Sequence, residues 1–486
     1  MFGQVLNQIR VNHPDSVDTH ELLMAAVEGM IHAADPHSYV IPAVRLEPGK
    51  EQALRDGKLV PVPLAFAFVG GAPVVVNVMA GTAARQLDIL PGDELVAVEG
   101  IPVSAASAEE LEIALAGARN SLVRLAFERR RVDGSIGRLE RAVRRERTND
   151  ATAVPVATML DSTTGYVRVT TFMGERVADD LHAALDRLEK KGMQRLVLDL
   201  RDNGGGSVAE AARVAGEFLP RGAVVYSSSG RKAEITDTGR VQRSFWRSER
   251  RYPIVVMVNA GTASASELVA GALQDHDRAL IVGRPTFGKS LLMRGFPMSD
   301  GSVLVLVVGQ IRTPCGRVVQ REYRTITRHE YYRQARAERD TAGRPSCRTD
   351  AGRIAYGGGG VYPDVVLPEL PPRPRWLVRA EEQQLILAWS GSYLDGKGAT
   401  LGTIESFLGS PLSSTTLSDF RAFALRQGVE IPVEGDQLLQ QVLRESIAFA
   451  KWGAEGAYQV SVARDAAIRE AVGSFSEAGR ILRGAR

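Results

Sequence analysis

The chain has 486 residues, of which 44% are hydrophobic and 24% are charged. This is the composition of a globular protein with about three domains, and a net charge of only +3 argues against a dedicated nucleic-acid binder. The two cysteines, Cys315 and Cys347, exclude a multi-disulfide scaffold and a cysteine zinc site, and they leave one bridge or two free thiols open.

The first 38 residues are predicted to be helical. Asp18 and Glu21 have the spacing of a capping box, and the apolar residues that follow recur on one helix face as far as Ile31. The helical stretch is expected to end before the segment DPHS, residues 35–38, because a proline disfavours the helical conformation of the residue before it.

The opening sequence MFGQVLNQIRVNHP lacks the charged start and apolar core of a signal peptide, although a trimmed chain would begin in the same way. No apolar run approaches the ~18 residues needed to span a bilayer, so we expect no integral membrane span. The compartment stays open on these grounds.

Residues from about 60 to 148 alternate short strands with one helix. The strands PLAFAF and PVVVNVM flank Gly70 and Gly71, which is a hairpin signal. A predicted helix, AEELEIALA, and a further strand, LVRLAFER, follow. The order predicts a small β-rich domain, and the pattern alone leaves open whether that domain has a peptide-binding groove.

Residues 150 to about 370 alternate strands and helices in the manner of an α/β domain. The runs RLVLDL and PIVVMVN are almost wholly apolar, which is typical of strands buried on both faces. Residues 321–350 are basic and polar and are interpreted as a long surface insertion. After the linker PPRPR, helical stretches are predicted to serve packing or oligomerisation.

The segment GRPTFGKS, residues 283–290, fits the nucleotide-binding pattern G-x-x-x-x-G-K-[ST]. A P-loop also needs a helix directly after the loop, whose N-terminus faces the phosphates. Gly295 and Pro297 follow so soon that this helix is doubtful, and the Walker B candidate Asp199 precedes the lysine, whereas the usual order places it after. Nucleotide binding is therefore the least favoured of three hypotheses.

Ser264 lies at a predicted strand-to-helix junction, between PIVVMVN and SELVAGALQD. A side chain there is exposed beside the free amides of the helix start, which suits a nucleophile next to an oxyanion site. Ser264 and Glu267 also have the spacing of a capping box, so the serine taken alone is more simply interpreted as a helix cap.

The run RDNGGG, residues 201–206, follows the buried strand RLVLDL. Its glycines either let backbone amides approach a ligand closely or make a tight connection to the next helix, which Ser207 caps. The histidines fit no known catalytic order and are interpreted as surface or structural residues: His37, His182 and His276.

Several motifs, taken in order, resemble the C-terminal processing peptidases, the tail-specific serine proteases of peptidase family S41. DPHS ends the N-terminal helices, and GDELVAVEG, residues 92–100, resembles the most recognisable turn and strand of a PDZ domain. The family's other sequence blocks are matched by LVLDLRDNGGG, TASASELVAGALQD, VGRPTFGKS and YGGGGVYPD. The match covers most of residues 1–370.

The resemblance implies an α/β fold with a crotonase/ClpP-like S41 protease core, an inserted PDZ-like β-rich domain and helical N- and C-terminal segments. The expected organisation is an N-terminal helical segment (1–55), a PDZ-like domain (56–148), a peptidase core (149–370) and a C-terminal helical region (371–486).

Residue by residue, the resemblance makes Ser264 the nucleophile and Lys289 its general base, which implies that the nucleotide-like pattern is accidental. The amides of Ala265 and of Gly205 or Gly206 match the oxyanion hole.

Asp275 matches an acidic position near the family's site. In the PDZ-like domain, the matching groove segment is Leu64, Ala65 and Phe66.

Two departures from the family's pattern stand out. Four residues after the lysine the family usually carries a glutamine that is thought to orient it, and this chain has Met293, which cannot accept a strong hydrogen bond. The loop that holds a peptide carboxylate in the family's PDZ domains is matched by Pro63-Leu64-Ala65, and Pro63 has no amide hydrogen to donate.

A serine–lysine pair is chemically sufficient for acyl transfer if the lysine is neutral. Burial in an apolar pocket lowers a lysine pKa from its usual ~10.4 by as much as about 3 to 5 units. Leu291, Leu292 and Met293 supply apolar surface next to Lys289 in the sequence. We therefore expect an acyl-enzyme mechanism that needs no metal or cofactor.

The leading hypothesis is a serine endopeptidase that captures unstructured protein or peptide tails on its PDZ-like domain, with no nucleic-acid partner and with a homo-oligomer left open. The alternative is a catalytically weak or inactive peptide-binding scaffold, which Met293 favours. The resemblance also implies a bacterial protein of the periplasm or cell envelope.

Overall fold

The computed structural model describes residues 1–41, 53, 58–69, 71–79, 82–103, 105, 108–131, 133–146, 153–243, 249–299, 301–324, 326–337, 341–368 and 371–484. The chain forms two compact units. The first comprises Met1–Ala43, Ala157–Pro368 and Glu470–Arg486, and the second comprises Val44–Val156 and Glu369–Arg469. The domain boundaries predicted near residues 55, 148 and 370 lie outside the described residues.

The first unit begins with helices α1 (Phe2–Asn12) and α2 (Thr19–Ala34) and the short strand β1 (Tyr39–Ile41). α2 ends directly before Asp35 and Pro36, as the proline predicts. β1 joins the first unit's antiparallel sheet, where Tyr39 pairs with Val305.

A small antiparallel sheet lies in the second unit. Its elements are β2 (Leu64–Val69), β3 (Ala72–Val78), β4 (Glu94–Val98), β5 (Ile101–Pro102), helix α3 (Ala108–Leu115), β6 (Leu122–Arg130) and β7 (Ile136–Arg144). The strand order is β2-β3-β4-β6-β7 with β5 on β4, so β2 lies at one edge. The predicted hairpin pairs β2 with β3, and Gly70 of its turn lies outside the described residues.

The first unit continues with alternating strands and helices. They are β8 (Val156–Met159), β9 (Thr164–Arg168), α4 (Val177–Lys190), β10 (Arg195–Asp199), α5 (Val208–Gly216), β11 (Val224–Gly230), β12 (Asp237–Arg240), β13 (Ile254–Val258), α6 (Ala265–Asp275), β14 (Leu280–Gly283), β15 (Leu291–Pro297), β16 (Val303–Arg312), α7 (Arg328–Ala337), β17 (Ser346–Arg348), β18 (Ile354–Tyr356) and β19 (Val365–Val366).

One sheet of this unit has the order β19-β14-β13-β10-β9-β8. Neighbours from β9 to β19 pair in parallel, with Leu198 opposite Val256. β13 is fully buried, which explains its unbroken apolar sequence. Because the carboxyl ends of parallel strands meet at one edge, the loops after β10, β13 and β14 come together there. The predicted α/β fold class is confirmed.

The second sheet of this unit is antiparallel, with the order β1-β16-β11-β12 and with β15 paired to β16. β15 runs directly out of the segment that contains Lys289, so the strand fixes the direction in which that segment leaves the site. Along β15, Leu291 pairs with Gln310 and Met293 with Val307, and the register shifts between Leu292 and Met293.

The segment 321–350 is not only a surface insertion. Its helix α7 carries Tyr331, whose side chain is fully buried. Cys347 lies in β17 and is bonded to Cys315, so a disulfide closes the segment at its base. The long surface insertion predicted here thus contains a helix with one buried face, formed by Tyr331 and Ala335, which the polar composition of the segment conceals.

The C-terminal region is helical, as predicted. Its helices are α8 (Arg375–Glu382), α9 (Leu385–Lys397), α10 (Ile404–Gly409), α11 (Ser414–Arg426), α12 (Asp436–Val462), α13 (Ala466–Gly473) and α14 (Phe475–Gly484). Short 3-10 turns are formed by Ala83–Gln86, Ala233–Ile235, Gly398–Leu401 and Val433–Gly435. α14 belongs to the first unit, where Phe475 lies 4.8 Å from the Arg195 guanidinium.

Within the second unit, the small sheet packs on helix α9. Arg129 of β6 is buried and pairs with Asp93 at 2.7 Å and with Asp395 of α9 at 3.0 Å. A Cβ on Gly92 would lie 2.6 Å from the Ala388 Cα, so only glycine allows this close approach. Among the described residues, no helix combines the length and the apolar character needed to cross a membrane.

Candidate active site

Ser264 lies at the junction between β13 and α6, as the sequence predicts. Its backbone has φ 56° and ψ −118°, a left-handed conformation that costs a non-glycine residue about 1–3 kcal/mol. All residues of α6 are buried, whereas Ser264 at its N-terminus is half-buried. The fold therefore holds a strained, half-buried serine at the edge of the buried core.

Lys289 lies in the irregular segment between β14 and β15. The residues after it form a strand and not a helix, so the element that a P-loop requires is missing from this position and the nucleotide-binding hypothesis fails. The amide of Phe287 donates to the Thr262 carbonyl at 2.9 Å, which joins the lysine segment to the serine segment.

Glu267 connects the two segments through its buried carboxylate. Its Oε2 accepts from the backbone amides of Ser264 and Lys289, each at 2.8 Å. Its Oε1 accepts from the Gly288 amide at 2.8 Å and from the Thr286 hydroxyl at 2.5 Å. The backbone nitrogens of Ser264 and Lys289 thus each lie 2.8 Å from one oxygen atom, so the backbone segments that carry the predicted nucleophile and base are adjacent.

The sequence showed Glu267 only as the partner of a capping box. The structure confirms that its side chain accepts from the Ser264 amide and adds the three donors of the lysine segment. The S-x-x-E spacing was the signal for the first contact. No local pattern reveals the others, because they join residues that are separated along the chain.

Burial has opposite effects on the two titratable groups at this point. It lowers the pKa of the Lys289 ammonium below its ordinary value, although the nearby Glu267 and Asp35 carboxylates oppose this shift by raising that pKa. It raises the pKa of the Glu267 carboxyl to about 7, although the hydrogen bonds from Thr286, Lys289, Gly288 and Ser264 oppose the shift. Both changes favour uncharged forms in the protein interior.

A small cavity of about 20 Å³ lies between Ser264 and Lys289, with room for roughly one water molecule. Its apolar lining is contributed by Ala265, Leu268, Leu291, Ile311 and Val319. The pocket beside the serine is therefore narrow and apolar. Met293 is not among the described residues that line it.

The glycine run after β10 approaches the serine closely. A Cβ on Gly205 would lie 2.8 Å from the Ser264 Cβ and 2.9 Å from the Ala265 nitrogen. The Gly205 amide itself donates to Asn203 Oδ1 at 3.0 Å. Gly206, at φ 146°, would place a Cβ 2.3 Å from Phe172 backbone, so both positions require glycine.

The N-terminal DPHS segment reaches this site, which the sequence did not predict. Asp35 accepts from the Ser38 amide at 2.7 Å and from the Ser38 hydroxyl at 2.6 Å. The same hydroxyl accepts from the Val307 amide of β16 at 3.0 Å. These bonds fix the buried Asp35 carboxylate where it acts electrostatically on Lys289.

Asp275 is not brought to the serine. It lies at the opposite end of α6, a helix of 11 residues that rises about 1.5 Å per residue. There it forms a buried ion pair with Arg317 at 2.8 Å and accepts from the Cys315 amide at 3.1 Å. The expectation that Asp275 lies near the predicted nucleophile is wrong in this fold, because α6 separates Asp275 from Ser264 by three turns.

The three histidines singled out from the sequence contact partners other than Ser264. His182 contacts Glu217 at 2.9 Å, and His276 contacts Asp350 at 2.7 Å. The ring of His37 packs edge-on against Tyr331 with the centroids 4.9 Å apart.

The predicted PDZ groove residues lie on the edge strand β2. Leu64 is buried in the core of the small sheet, and Ala65 and Phe66 are half-buried on either side of a register shift. Helix α3 packs against this strand. The Pro63 carbonyl is occupied, since it accepts from the Met79 amide at 3.0 Å.

Two family models match the chain. Peptidase family S41 matches residues 163–330, and the PDZ domain matches residues 74–129. The first range contains Ser264 and Lys289, and the second contains most of the small sheet.

Curated relatives agree with these matches. The chain is 33% identical over 320 residues to carboxyl-terminal-processing peptidase 2, chloroplastic, of Arabidopsis thaliana, an alignment that covers 62% of this chain and 59% of the relative. It is 29% identical over 324 residues to the carboxy-terminal-processing protease of Bartonella bacilliformis, covering 66% and 72%. This chain thus spans less than two thirds of the Arabidopsis relative.

A solved structure of a photosystem II D1 C-terminal processing protease also aligns with the chain. The alignment covers 80% of this chain and 92% of the other at 25% sequence identity, with a TM-score of 0.36.

Proposed function

We propose that this chain, in which residues 163–330 match the model of peptidase family S41 and residues 74–129 match the PDZ domain model, is a serine endopeptidase that cleaves protein or peptide tails. One observation carries the proposal: the amides of Ser264 and Lys289 share the Glu267 Oε2 atom. The names of the relatives, which are processing peptidases and proteases, support the same activity.

The proposed chemistry is acyl transfer by a serine–lysine pair. Neutral Lys289 accepts the proton of the Ser264 hydroxyl while Oγ bonds to the peptide carbonyl carbon and the π electrons move to the carbonyl oxygen. The tetrahedral intermediate then collapses: the carbonyl re-forms, the C–N bond breaks, and the leaving amine receives from Lys289 the proton that came from Ser264. Water hydrolyses the acyl-enzyme by the same steps and regenerates the serine. The lowered pKa of Lys289 supports its part as base, because a charged ammonium cannot accept a proton.

The oxyanion is proposed to rest on the amides of Ala265 and Gly206. Ala265 is the first residue of α6, where the backbone amides of a helix lack intrahelical partners. Of the two glycines, Gly206 is the better donor, since the Gly205 amide is engaged by Asn203. Gly205 contributes instead by its lack of a side chain, which lets the loop approach Ser264.

The cavity beside Ser264 favours a small apolar side chain on the acyl side of the cleaved bond. Its lining is apolar apart from the reacting groups and a few polar positions at Glu267, Ser290, Arg312 and Thr313. A large side chain would have to displace Leu291 or Ile311. We propose that alanine or a similarly small residue is preferred there.

Substrate capture is proposed for the edge strand β2. An extended peptide can pair with an exposed sheet edge, while side-chain pockets beside it provide specificity. β2 is an edge strand and α3 packs beside it, which supports this mode of binding. Pro63 removes one amide from the loop that would hold a terminal carboxylate, so internal tail segments are expected to bind as well as free C-termini.

An oxidising compartment such as the periplasm or cell envelope is proposed as the location. The disulfide between Cys315 and Cys347 supports it, because structural disulfides persist mainly outside reducing cytosol. The alternative function, an inactive peptide-binding scaffold, is favoured only by Met293 in place of glutamine.

The test is digestion of a disordered protein by the wild type and by Ser264→Ala, with the products identified by mass spectrometry. The proposal expects internal cuts after small apolar residues with the wild type and none with the variant. Intact substrate with both proteins, together with peptide binding to the small sheet, would favour the scaffold. Equal cleavage by both would refute the role of Ser264.

A further inference from the structure

We propose that Tyr331 and Gln320 position the catalytic lysine and so replace the glutamine that this chain lacks at Met293. The inference rests on the proposed serine–lysine chemistry, because it assigns those two residues a part in holding its base. Neither residue was singled out from the sequence. Tyr331 lies inside the segment that looked like a surface insertion.

Tyr331 contacts the residue before the lysine. Its hydroxyl lies 3.2 Å from the Gly288 carbonyl oxygen and donates to it. Its ring packs edge-on against Phe287 with the centroids 5.8 Å apart and against His37 of the N-terminal segment at 4.9 Å. A tyrosine without exposed surface thus joins the N-terminal segment to the lysine segment.

Gln320 contacts the residue after the lysine. Its Oε1 accepts from the Ser290 amide at 2.9 Å, and its Nε2 donates to the Tyr331 hydroxyl at 3.1 Å and to the Arg321 carbonyl at 2.9 Å. The amide group of Gln320 is therefore fully oriented by its own partners. Because it is buried, an unpaired donor or acceptor there would be costly, which makes this arrangement well defined.

Together the two side chains bracket Lys289. Tyr331 holds Gly288, Gln320 holds Ser290, and the bond between them closes the bracket. The Lys289 amide is held separately by Glu267. With the backbone fixed on three consecutive residues, the lysine stem can leave the segment in few directions. Orientation is thus supplied through the backbone, and a side-chain acceptor at position 293 is not required.

The stretch of chain that carries Gln320 and Tyr331 is itself anchored to the rest of the fold. Arg321, next to Gln320, donates its backbone amide to the Gly288 carbonyl at 2.9 Å and its side chain to the Gly359 carbonyl at 2.9 Å. The disulfide between Cys315 and Cys347 joins the chain on either side of α7. The chain that carries Gln320 and Tyr331 is therefore anchored at Arg321 and cross-linked between Cys315 and Cys347.

The experiment measures the titration of Lys289 directly and the kinetics in parallel. The chain has eight lysines, so selective ¹³C labelling of lysine gives a spectrum in which Lys289 is assigned by its loss in Lys289→Arg. Tyr331→Phe keeps the ring and removes only the hydroxyl. Tyr252→Phe is the control, since its half-buried tyrosine hydroxyl donates to Glu189 at 3.1 Å and not to the lysine segment.

We expect Tyr331→Phe to raise the Lys289 pKa, because a loosened amine reaches water. The acid limb of the pH–rate profile should move to higher pH, and kcat should fall about 10-fold with KM nearly unchanged. Tyr252→Phe should leave the titration and kcat as in the wild type. If Tyr331→Phe does not fold, Gln320→Asn, which withdraws the acceptor from Ser290, is expected to give the same changes.

The inference is overturned if Lys289 titrates identically in Tyr331→Phe and in the wild type and kcat is also the same. Because the titration needs no substrate, it decides the positioning role even if the chain cleaves nothing. An inactive wild type with a shifted Lys289 titration in the variant would sink the proposed peptidase function and leave the positioning role standing.

Discussion

Helix α6 has a buried carboxylate near each end, and the two carboxylates have different partners. At the far end, Asp275 faces Arg317 at 2.8 Å, and both side chains are about 1% exposed. At the near end, Glu267 is equally buried and accepts hydrogen bonds from three backbone amides and one hydroxyl. The far carboxylate has a cation as its direct partner, and the near one has only neutral donors.

This difference separates stability from chemistry along one helix. Removing one partner of a buried ion pair is strongly destabilising, because it leaves the other charge buried without compensation. A buried carboxylate with neutral donors has its pKa raised to about 7, so its charge is poised near neutral pH beside a lysine whose pKa is lowered. The near end is therefore suited to proton transfer, and the far end to anchoring α6 to the strand-end loop at Cys315.

The largest effect is expected at the far end. Asp275→Asn leaves Arg317 buried without its counter-charge, and this should lower the free energy of unfolding by about 3–5 kcal/mol. Cleavage per folded molecule should stay within about 2-fold of the wild type, because the pair lies three turns from Ser264. Urea unfolding and active-site titration measure the two quantities.

The control for this variant is Asp350→Asn, which removes an exposed partner of His276 and should change stability little. A loss of cleavage in folded Asp275→Asn would contradict the assignment of that end to stability.

The next effect concerns the pH dependence of stability at the near end. The folded pKa of Glu267, about 7, lies above its ordinary value of 4.5, so the folded state binds the proton more tightly. Its contribution to stability is complete below pH 4.5 and is lost as the pH rises through 7, on the order of 3 kcal/mol. Glu267→Gln cannot titrate, so the difference in unfolding free energy between wild type and variant should follow this curve. If the unfolding free energies of the wild type and Glu267→Gln change with pH in parallel from pH 4 to 8, the pKa of Glu267 is not raised in the folded state.

A smaller effect is expected from two matched threonines. Thr286 donates to Glu267 and accepts from the Val361 amide at 2.6 Å, and Thr349 donates to Asp277 at 3.0 Å and accepts from the Arg353 amide at 3.0 Å. Replacing either by valine should cost about 1–3 kcal/mol of stability. Only Thr286→Val should also raise the Glu267 pKa and slow cleavage. Equal losses of cleavage in the two variants would contradict the claim that only the Glu267 end of α6 takes part in the chemistry.

The sequence predicted the positions of Ser264 and Lys289 in the fold, but it did not predict the surroundings of Asp275 or Tyr331. The strand-to-helix junction placed Ser264, and the FGK motif placed Lys289, because both are local patterns with a known structural context. Asp275 was misplaced because a motif gives order along the chain and not distance along a helix. Tyr331 was missed because one buried ring in a basic segment leaves no periodic signal.

The smallest effect is expected at Met293. It lies in β15 and is not among the described residues that line the cavity beside Ser264. Met293→Gln, which restores the family's usual residue, should change kcat/KM by less than about 3-fold. A gain of 10-fold or more would mean that Lys289 is poorly oriented in this chain and that the bracket of Tyr331 and Gln320 is insufficient.

The most direct test of the serine–lysine pair is the rate at which a peptidyl phosphonate labels the chain, followed against pH in the wild type and in Lys289→Ala. The account predicts a single label on Ser264. The labelling rate should fall as the pH drops through the pKa of Lys289, below its ordinary 10.5. In Lys289→Ala the labelling rate should be lower by about 10²-fold or more, and it should not vary with pH in this way. Equal rates in the two proteins at every pH would contradict it.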